Sequence, residues 1–397
     1  MKDDGKLPLA GLTVVAIEQA VAAPLATRHL ADWGARVIKI ERPGTGDFAR
    51  GYDTRVKGLS SYFVWLNRSK QSLTLDLKRP EAAEVAARLI AGADVLVHNL
   101  APGAMDRLGF SSETLRPRHP RLIICAVSGY GSSGPYRDRK AYDLLVQSEV
   151  GLLSITGTAE EPARAGISVA DIAAGMYAYS AILMALLRRS TTGDGAAIEV
   201  SMLDALGEWM SHPFYATTYG GSPLPRSGAR HPSIAPYGPF VAGDGGTVYL
   251  GIQNEREWQR FCGGVLAQPA LAADPRFANN SARVEHREAL EAAIGQLFAR
   301  LTTPEIVKRL DAAEIAHARL NTVEEFAAHP QLAARARWRE IDSPVGPLRA
   351  LAPPVMMDAL EPAMGAVPAL GQHTEMILGE QGYDRATIAG WRESGVI

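Results

Sequence analysis

Short apolar runs alternate with helical patterns through the first half of this chain, and this alternation restricts its fold more than any other feature. The runs that resemble strands are rich in β-branched residues, and the segments between them have helical periodicity. The predicted strands cover 12–17, 36–41, 70–77, 94–98 and 122–127, and the predicted helices cover 25–33 and 80–91. This alternation predicts the α/β class, with a doubly wound, mostly parallel sheet and helices on both faces.

The loop after the first predicted strand, from Glu18 to Pro24, contains no glycine. Glu41, an acidic residue at the end of the second strand, would suit a dinucleotide-binding domain, but the pyrophosphate fingerprint needs glycines in that first loop. The sequence therefore argues against a nicotinamide cofactor. It also contains no P-loop lysine motif, no zinc-type histidine pair and no nucleophile-elbow serine, so no metal site is predicted.

Charge and cysteine content exclude further classes of function. The formal net charge of the 397 residues is -2, which gives no electrostatic reason to expect a nucleic-acid or anionic-membrane partner. Cys125 and Cys262 lie far apart and are predicted to be reduced and buried, as in a cytoplasmic protein. The segment Met1–Pro8 is polar and lacks the apolar core of a signal peptide.

An uncharged run from Ile172 to Leu187 follows Asp171 and is closed by Arg188 and Arg189. An aspartate before such a run is typical of a helix N-cap, and the arginines suit the negative end of the helix dipole. Because a membrane-spanning helix needs roughly 20 apolar residues, we expect a buried core helix. Asp171 is then predicted to be ionised, and an ionised, poorly hydrated carboxylate can attack an activated acyl group. A purely structural N-cap is the alternative.

The composition changes after about residue 205. The segment 220–239 is rich in Gly, Pro and Ser, which is typical of a linker, and the strand and helices after it predict a smaller domain. The predicted boundaries are a large α/β domain over 1–205, a linker over 206–229, a small α+β domain over 230–330, and a return segment over 331–397 that packs on the large domain. Arg226 and Arg230 flank the linker and are interpreted as solvated charges rather than as carboxylate ligands.

Several segments, each weak by itself, occur together in a specific order along nearly the whole chain. They are Leu9–Leu12, Ala23–Pro24, Leu30–Pro43, Gly46–Asp47, Asn67–Leu73, His98–Gly103, Ser128–Gly131, Ala141–Asp143, Gly166–Asp171, Thr192–Gly195 and Leu370–Thr374. In this order they resemble the class III CoA-transferase family, the group that includes formyl-CoA:oxalate and carnitine CoA-transferases and α-methylacyl-CoA racemase.

The resemblance implies a set of site residues. It makes Asp171 the catalytic aspartate, and it implies that two subunits interlock as a homodimer. It places seven further residues at CoA-contacting positions: Arg42, Leu75, Lys78, Asn99, Leu100, Arg107 and Lys140. Cations suit this role because CoA carries a pyrophosphate and a ribose phosphate, which arginine can bind bidentately. CoA is then a substrate, and no tightly bound cofactor is expected.

The implied reaction moves CoA from an acyl-CoA to a free carboxylate through an aspartyl anhydride and an aspartyl-CoA thioester. The arginines favour a small dicarboxylate such as succinate, mesaconate, itaconate or citramalate. An α-methylacyl-CoA racemase is the first alternative, but that branch has a catalytic histidine where this chain has Tyr142, a poor base near neutral pH. A non-catalytic CoA-binding activator is the second alternative.

The chain departs from the formyl-CoA branch in two places. That branch has a glycine-rich loop in its small domain, whereas the corresponding segment here, Ser233–Phe240, has no glycine run. That branch also has a glutamine after its first strand, where this chain carries Val21. We therefore expect a different lid over the intermediate and a different acid substrate.

Overall fold

The structure is a computed structural model that describes residues 7–397, so most of the polar segment Met1–Pro8 lies outside the described residues. The chain forms two compact units. The large unit contains the described residues up to Val150, together with 165–211 and 331–397, and the small unit contains 151–164 and 212–330. This division differs from the predicted boundaries, since 151–164 belongs to the small unit and helix 211–220 occupies part of the predicted linker.

The strands and helices of the described chain are numbered in chain order. The strands are β1 (Thr13–Ile17), β2 (Arg36–Glu41), β3 (Lys70–Thr74), β4 (Val95–His98), β5 (Ile123–Ser128), β6 (Ala197–Ser201), β7 (Tyr237–Val241), β8 (Thr247–Gly251), β9 (His317–Arg319), β10 (Trp338–Ile341) and β11 (Leu348–Leu351). The helices of the large unit are α1 (Ala22–Asp32), α2 (Ser61–Asn67), α3 (Pro80–Ala91), α4 (Ala104–Arg107), α5 (Ser112–Leu115), α6 (Asp143–Glu149), α8 (Val169–Thr192), α9 (Met202–Trp209), α16 (Pro330–Ala334), α17 (Thr374–Glu380) and α18 (Arg385–Glu393). The others are α7 (Leu152–Ile155), α10 (Ser211–Gly220), α11 (Glu255–Arg260), α12 (Asn280–Glu285), α13 (Arg287–Phe298), α14 (Thr303–Ala312) and α15 (Val323–Ala327).

The large unit is built on a six-stranded parallel sheet with the order β3-β2-β1-β4-β5-β6. The predicted α/β class is therefore confirmed. The strand order reverses between β1 and β4, which are paired with Ile17 opposite His98. In an open α/β sheet the connections leave such a point in opposite directions and open a crevice beyond the carboxyl ends of the strands.

Apolar residues on the strands are buried on both faces of this sheet, as a doubly wound fold requires. Val15, Ile38 and Leu96 belong to one core cluster with residues of α3, α17 and α18. On the other face, α1 packs against α8. Gly175 of α8 permits this close packing, because a Cβ there would lie 2.6 Å from the backbone oxygen of Ala22.

Helix α8 is longer than the sequence predicted and begins earlier. It starts at Val169 with Ser168 as its N-cap, so the prediction that Asp171 caps the helix is wrong; Asp171 lies in the first turn. One side of α8 is buried, while Met184 and Leu187 are 65% and 72% exposed. By length and composition alone, α8 could cross a membrane, but core helices pass the same test. This is weak evidence for a membrane span, because α8 packs on α1, β5 and β6.

The small unit has its own core. Strands β7, β8 and β9 form an antiparallel sheet. Trp258, Phe261 and Phe298 are buried with aliphatic residues of β8 and α14. The predicted small α+β domain is therefore present as a separate three-stranded sheet with helices. The chain then forms the antiparallel pair of β10 and β11 in the large unit.

Candidate active site

A cleft of about 1770 Å³ opens in the large unit at the carboxyl ends of the sheet strands. It is larger than the roughly 300–1,000 Å³ of a pocket for a drug-sized ligand. Residues from the loops after β1 and β4, among them Gln19 and Asn99, line it, so it lies at the point where the strand order reverses. The topology of the sheet therefore determines where this cleft forms.

All eight residues that the family resemblance selected line this one cleft. They are Asp171, Arg42, Leu75, Lys78, Asn99, Leu100, Arg107 and Lys140. These residues lie at or just after the ends of β2, β3 and β4, on α4, in the loop before α6 and on α8. The fold thus brings together positions that are up to 129 residues apart, counted from Arg42 to Asp171. Their roles in binding and catalysis stay predictions.

Four of these residues are cations at exposed positions of the cleft: Arg42, Lys78, Arg107 and Lys140. Within the described residues none of the four forms an ion pair, so each is available to an anionic ligand. Three more arginines line the cleft and were missed: Arg79, Arg137 and Arg139. Their positions beside Lys78 and Lys140 were the signal in the sequence that could have identified them.

The side chain of Asn99 is engaged by the protein itself. Its Oδ1 accepts a hydrogen bond from the Gln19 N–H at 2.8 Å, and its Nδ2 donates to the Gln19 carbonyl oxygen at 2.7 Å. This bidentate contact joins the loops after β1 and β4 across the reversal point of the sheet. The amide group of Asn99 therefore fixes the wall of the cleft, whatever contact its backbone makes with a ligand.

Asp171 projects into the cleft from the first turn of α8. Asp143 of α6 supports this turn, since its Oδ1 accepts a hydrogen bond from the Ala170 N–H at 2.8 Å. The other oxygen of Asp143 accepts from the buried Gln147 amide at 2.7 Å. The two carboxylates thus come from neighbouring helices, and only Asp143 has its hydrogen bonds satisfied within the scaffold.

Burial raises the pKa of Asp171 to about 7, with the negative charge of Asp143 as a second cause. The nearby Ala22 N–H lowers this pKa and offsets part of that rise. The sequence predicted that the helix end favours ionised Asp171; loss of hydration outweighs that effect, so the carboxylate is only partly ionised near neutral pH. A carboxyl group with a pKa near 7 is present in both its protonated and its ionised form near neutral pH.

Beneath the loop after β1 lies a buried cluster of three carboxylates and three cations. Its members are Glu18, Glu41, Asp47, Lys39, Lys70 and Arg50. The close contacts include Lys70 Nζ to Glu18 Oε1 at 2.7 Å, Arg50 Nε to Glu41 Oε2 at 2.7 Å and Lys39 Nζ to Asp47 Oδ2 at 2.8 Å. Burial would raise the pKa of Glu18, but Lys70 and Lys39 hold it below its usual value. The charges balance, so the cluster is a structural support for the loop.

Aromatic side chains form another part of the cleft wall. Phe48, Tyr52 and Tyr62 line the cleft, with ring centroids 5.6 Å apart for Phe48 and Tyr52 and 5.4 Å apart for Tyr52 and Tyr62. Burial raises the pKa of Tyr52 to about 12, and the charges of Asp47 and Asp171 contribute. Tyr52 is therefore neutral, and these rings give the cleft near Asp171 an apolar side.

The two arginines of the predicted linker lie in the small unit and are already engaged. Arg226 donates to the carbonyl oxygens of Thr158 and Ala159, both at 2.7 Å. Arg230 binds Glu291 at 2.8 Å. These two arginines therefore no longer support the prediction of a dicarboxylate substrate.

The comparison with known proteins gives consistent results over nearly the whole length. A sequence model of CoA-transferase family III matches residues 9–374. An acyl-CoA transferase of Fusarium pseudograminearum is 36% identical, covering 98% of this chain and 88% of its own length. A succinate–glutarate CoA-transferase of Agrobacterium fabrum is 32% identical, covering 94% of this chain and 96% of its own length.

Solved structures agree. The crystal structure of a CAIB/BAIF family protein from Brucella suis has a TM-score of 0.82 and 32% sequence identity, and it covers 94% of this chain and 99% of its own chain. The family match, the two relatives and the shared fold thus extend over both units. The chain belongs to CoA-transferase family III and is a CoA-transferase.

Proposed function

We propose that this enzyme moves CoA between small carboxylic acids, with Asp171 as the covalent carrier. The observation that supports this most directly is the place of Asp171: a partly buried carboxylate that lines the same cleft as four exposed cations, none of which forms an ion pair within the described residues. The cations suit the phosphates of CoA, and the thioester then lies within reach of a carboxylate nucleophile.

The proposed reaction uses two nucleophilic attacks to transfer CoA from the donor to Asp171 and two more to transfer it to the acceptor. Ionised Asp171 attacks the thioester carbonyl of the donor, CoA leaves as its thiolate, and a mixed anhydride remains. The thiolate attacks the aspartyl carbonyl and releases the donor acid, which leaves an aspartyl-CoA thioester. The acceptor carboxylate attacks this thioester, and the returning thiolate takes the acyl group of the second anhydride. Asp171 is regenerated, and atoms and charges balance without a further reactant.

The pKa of Asp171 sets the pH dependence of the first step. Only the ionised form attacks, so kcat/KM is expected to rise as the pH increases through about 7. The Ala22 N–H, which lowers the pKa of this carboxylate and lies in the same cleft, is the proposed donor to the negative charge on the acyl oxygen during attack. Exclusion of water matters here, because the anhydride and the thioester both hydrolyse readily.

The proposed acids are small dicarboxylates of the succinate and glutarate type. The support comes from the Agrobacterium relative, whose name specifies these two acids. A panel of acyl-CoA donors against carboxylate acceptors, analysed by mass spectrometry, tests this. Faster exchange with succinate and glutarate than with monocarboxylates of equal length is the expected result, and a preference for monocarboxylates would contradict it.

The covalent step has a direct test. The enzyme is incubated with an acyl-CoA, hydroxylamine is added, and the digest is searched for a hydroxamate at Asp171. The parent enzyme is expected to give the modified peptide, and Asp171→Asn is expected to give none. Exchange of the α-proton of the acyl group for deuterium without a hydroxamate would instead indicate a racemase, and CoA binding without either reaction would indicate an activator.

We propose further that the enzyme works as a homodimer, as the family resemblance implies. Large apolar side chains are exposed on the large unit, including Leu187 at 72% and Met184 at 65% on α8 and Trp209 at 46% on α9. Such residues are typical of interaction surfaces. Light scattering is expected to give twice the chain mass of 42.5 kDa, and a monomer at micromolar concentration would contradict the proposal.

A cytoplasmic location also stays a prediction. Cys125 and Cys262 are both free and buried, as expected for a protein in a reducing compartment. Fractionation of cells that express the tagged chain is expected to place it with soluble cytoplasmic markers, and recovery in the membrane fraction would contradict this.

A further inference from the structure

The loop between β1 and α1 is held by two side chains that come from opposite sides of the reversal point of the sheet. From the β4 side, Asn99 binds the backbone of Gln19 through both its oxygen and its nitrogen. From the β2 side, Asp47 Oδ1 accepts a hydrogen bond from the Ala20 N–H at 3.0 Å. Two consecutive peptide groups of the loop are thus fixed by side chains that are distant in the sequence.

The loop needs this support because part of it is in an unfavourable conformation. Ala20 has a φ of 63°, a left-handed backbone conformation that residues other than glycine rarely adopt. A conformation of this kind persists only where the surroundings hold it in place. In this loop those surroundings are the hydrogen bonds to Asp47 and Asn99, so the loop conformation depends on them.

Asp47 is itself fully engaged and buried. Its Oδ1 also accepts from the Ala49 N–H at 2.9 Å, and its Oδ2 accepts from Lys39 Nζ at 2.8 Å. Asp47 and Lys39 are 1% and 0% exposed. Because Lys39 fixes the orientation of the carboxylate, the oxygen that holds Ala20 has little freedom to move.

The loop leads directly into Ala22, the first residue of α1, which lines the cleft together with Asp171. The Ala22 N–H lowers the pKa of the Asp171 carboxylate. The carbonyl group of Ala22 packs against α8: a Cβ at Gly175 would lie 2.6 Å from the Ala22 carbonyl oxygen. The position of this N–H is therefore determined by the loop on one side and by α8 on the other.

We propose that Asp47, oriented by Lys39, is a positioning residue for the reaction: through Ala20 it fixes the loop so that the Ala22 N–H stays aimed at Asp171. Asp47 acts through the loop rather than by contact with the reacting atoms. The inference rests on the proposed role of Asp171 as covalent carrier. The N–H it positions supports the ionised carboxylate before attack and the charge that develops on oxygen during attack.

The first experiment compares Asp47→Asn with Asp32→Asn. Asparagine at 47 keeps an oxygen for Ala20 but turns an N–H group toward Lys39, which displaces the side chain. Asp32 provides the matched control, since it is also a buried carboxylate bound to a cation, Arg68, at 2.8 and 2.7 Å, but it lies at the other end of α1. We expect Asp47→Asn to lower kcat by about 10–100-fold with less than about a threefold change in the KM for acyl-CoA.

A compensating variant tests whether the effect passes through the loop. In Asp47→Asn with Lys39→Met, the cation that repels the new amide is gone, and the asparagine oxygen can still accept from Ala20 and Ala49. We expect this double variant to recover about tenfold in kcat over Asp47→Asn alone. A double variant that is no faster than Asp47→Asn would contradict the proposed route.

The pH profile separates positioning from general destabilisation. Asp143 and Tyr52 interact electrostatically with Asp171, and neither is changed in the variants. Since the Ala22 N–H lowers the pKa of Asp171, a displaced N–H should shift the acidic limb of kcat/KM upward, by about half a unit. Asp32→Asn should leave that limb unchanged.

A second variant keeps the test valid if Asp47→Asn does not fold. Asn99→Ala removes the other support of the loop without disturbing the Asp47–Lys39 pair. It is expected to lower kcat more than it raises the KM for acyl-CoA, because the amide is engaged with Gln19. A rise in KM with unchanged kcat would assign Asn99 to ligand binding and overturn its part in this proposal.

The outcomes distinguish this inference from the function on which it rests. If the parent enzyme gives no hydroxamate at Asp171, the covalent role fails. If the parent gives the hydroxamate but Asp47→Asn and Asp32→Asn lower kcat equally, the positioning role of Asp47 fails while the covalent role stands.

Discussion

Two kinds of carboxylate meet around the loop after β1, and they differ in their burial and in their partners. Glu18 and Glu41 face Lys70, Lys39 and Arg50; burial would raise the pKa of each, but these cations lower it, to about 2 for Glu41. Asp171 is only partly buried, but its charged neighbour is Asp143 rather than a cation, and its pKa rises to about 7. Burial alone therefore does not decide the charge of a carboxylate: paired ones support the fold, and the unpaired one is poised for chemistry.

The largest expected effect would follow from removing the unpaired carboxylate. Asp171→Asn should lower kcat by at least about 10⁴-fold, because the nucleophile is lost while the CoA site remains. Steady-state transfer assays measure this, and Asp32→Asn, a buried carboxylate with a cation partner, should retain activity within a few-fold. Equal losses in the two variants would remove the distinction between paired and unpaired carboxylates.

The same variant should also stabilise the protein at high pH. The folded-state pKa of Asp171 is raised above the unfolded value, so the proton favours the folded state. This contribution is fully present below the unfolded pKa of about 3.9 and is lost as the pH rises through about 7. At pH 9 we expect Asp171→Asn to exceed the parent in free energy of unfolding by on the order of 4 kcal/mol, and the difference should shrink toward pH 4. Urea unfolding at several pH values measures it, and a difference independent of pH would contradict the raised pKa.

Breaking a paired carboxylate should have the opposite effect on stability. Glu18→Gln leaves Lys70 buried without its carboxylate, and we expect a loss of about 3 kcal/mol in the free energy of unfolding at pH 7. Adding Lys70→Met should restore part of this loss. Glu84→Gln is the control, because its pair with Arg88 is exposed and worth less than about 1 kcal/mol.

The smallest effect is expected from the exposed cations of the cleft. Lys78→Ala and Arg107→Ala should each raise the KM for acyl-CoA by about 5–10-fold with little change in kcat, since each removes one phosphate contact worth about 1 kcal/mol. With the corresponding acyl-pantetheine, which lacks the phosphates, the variants should match the parent. Arg118→Ala, an exposed arginine outside the cleft, is the control.

The sequence predicted the sheet well wherever apolar runs had β-branched residues. Strands β1, β2, β4 and β5 lie within about one residue of their predicted limits. Strand β6, Ala197–Ser201, was not predicted, because its alternating exposure and central Glu199 give a weak apolar pattern. Helix α2, Ser61–Asn67, was also missed, because its mixture of aromatic and polar residues has little periodicity.

The candidate site could be predicted only in part. The spacing of cations after strand ends and the family resemblance together selected residues that line one cleft. The buried cluster could not be predicted, because its pairs, such as Glu18 with Lys70, join residues 52 positions apart. The protonation of Asp171 was also out of reach, since it depends on how closely α1 and α6 pack around it.

The glycine-free loop after β1 has a consequence for how this cleft retains its ligand. Dinucleotide-binding folds with the same strand order bring bare backbone against the diphosphate. In this chain the side chains of Asn99 and Asp47 bind the backbone of the corresponding turn, so a diphosphate has to be bound by flexible, exposed side chains further out. Attraction of that kind is screened by dissolved ions over about 10 Å at 0.1 M. Capture of acyl-CoA should therefore weaken with rising ionic strength, whereas turnover of bound substrate, sheltered inside, should change little.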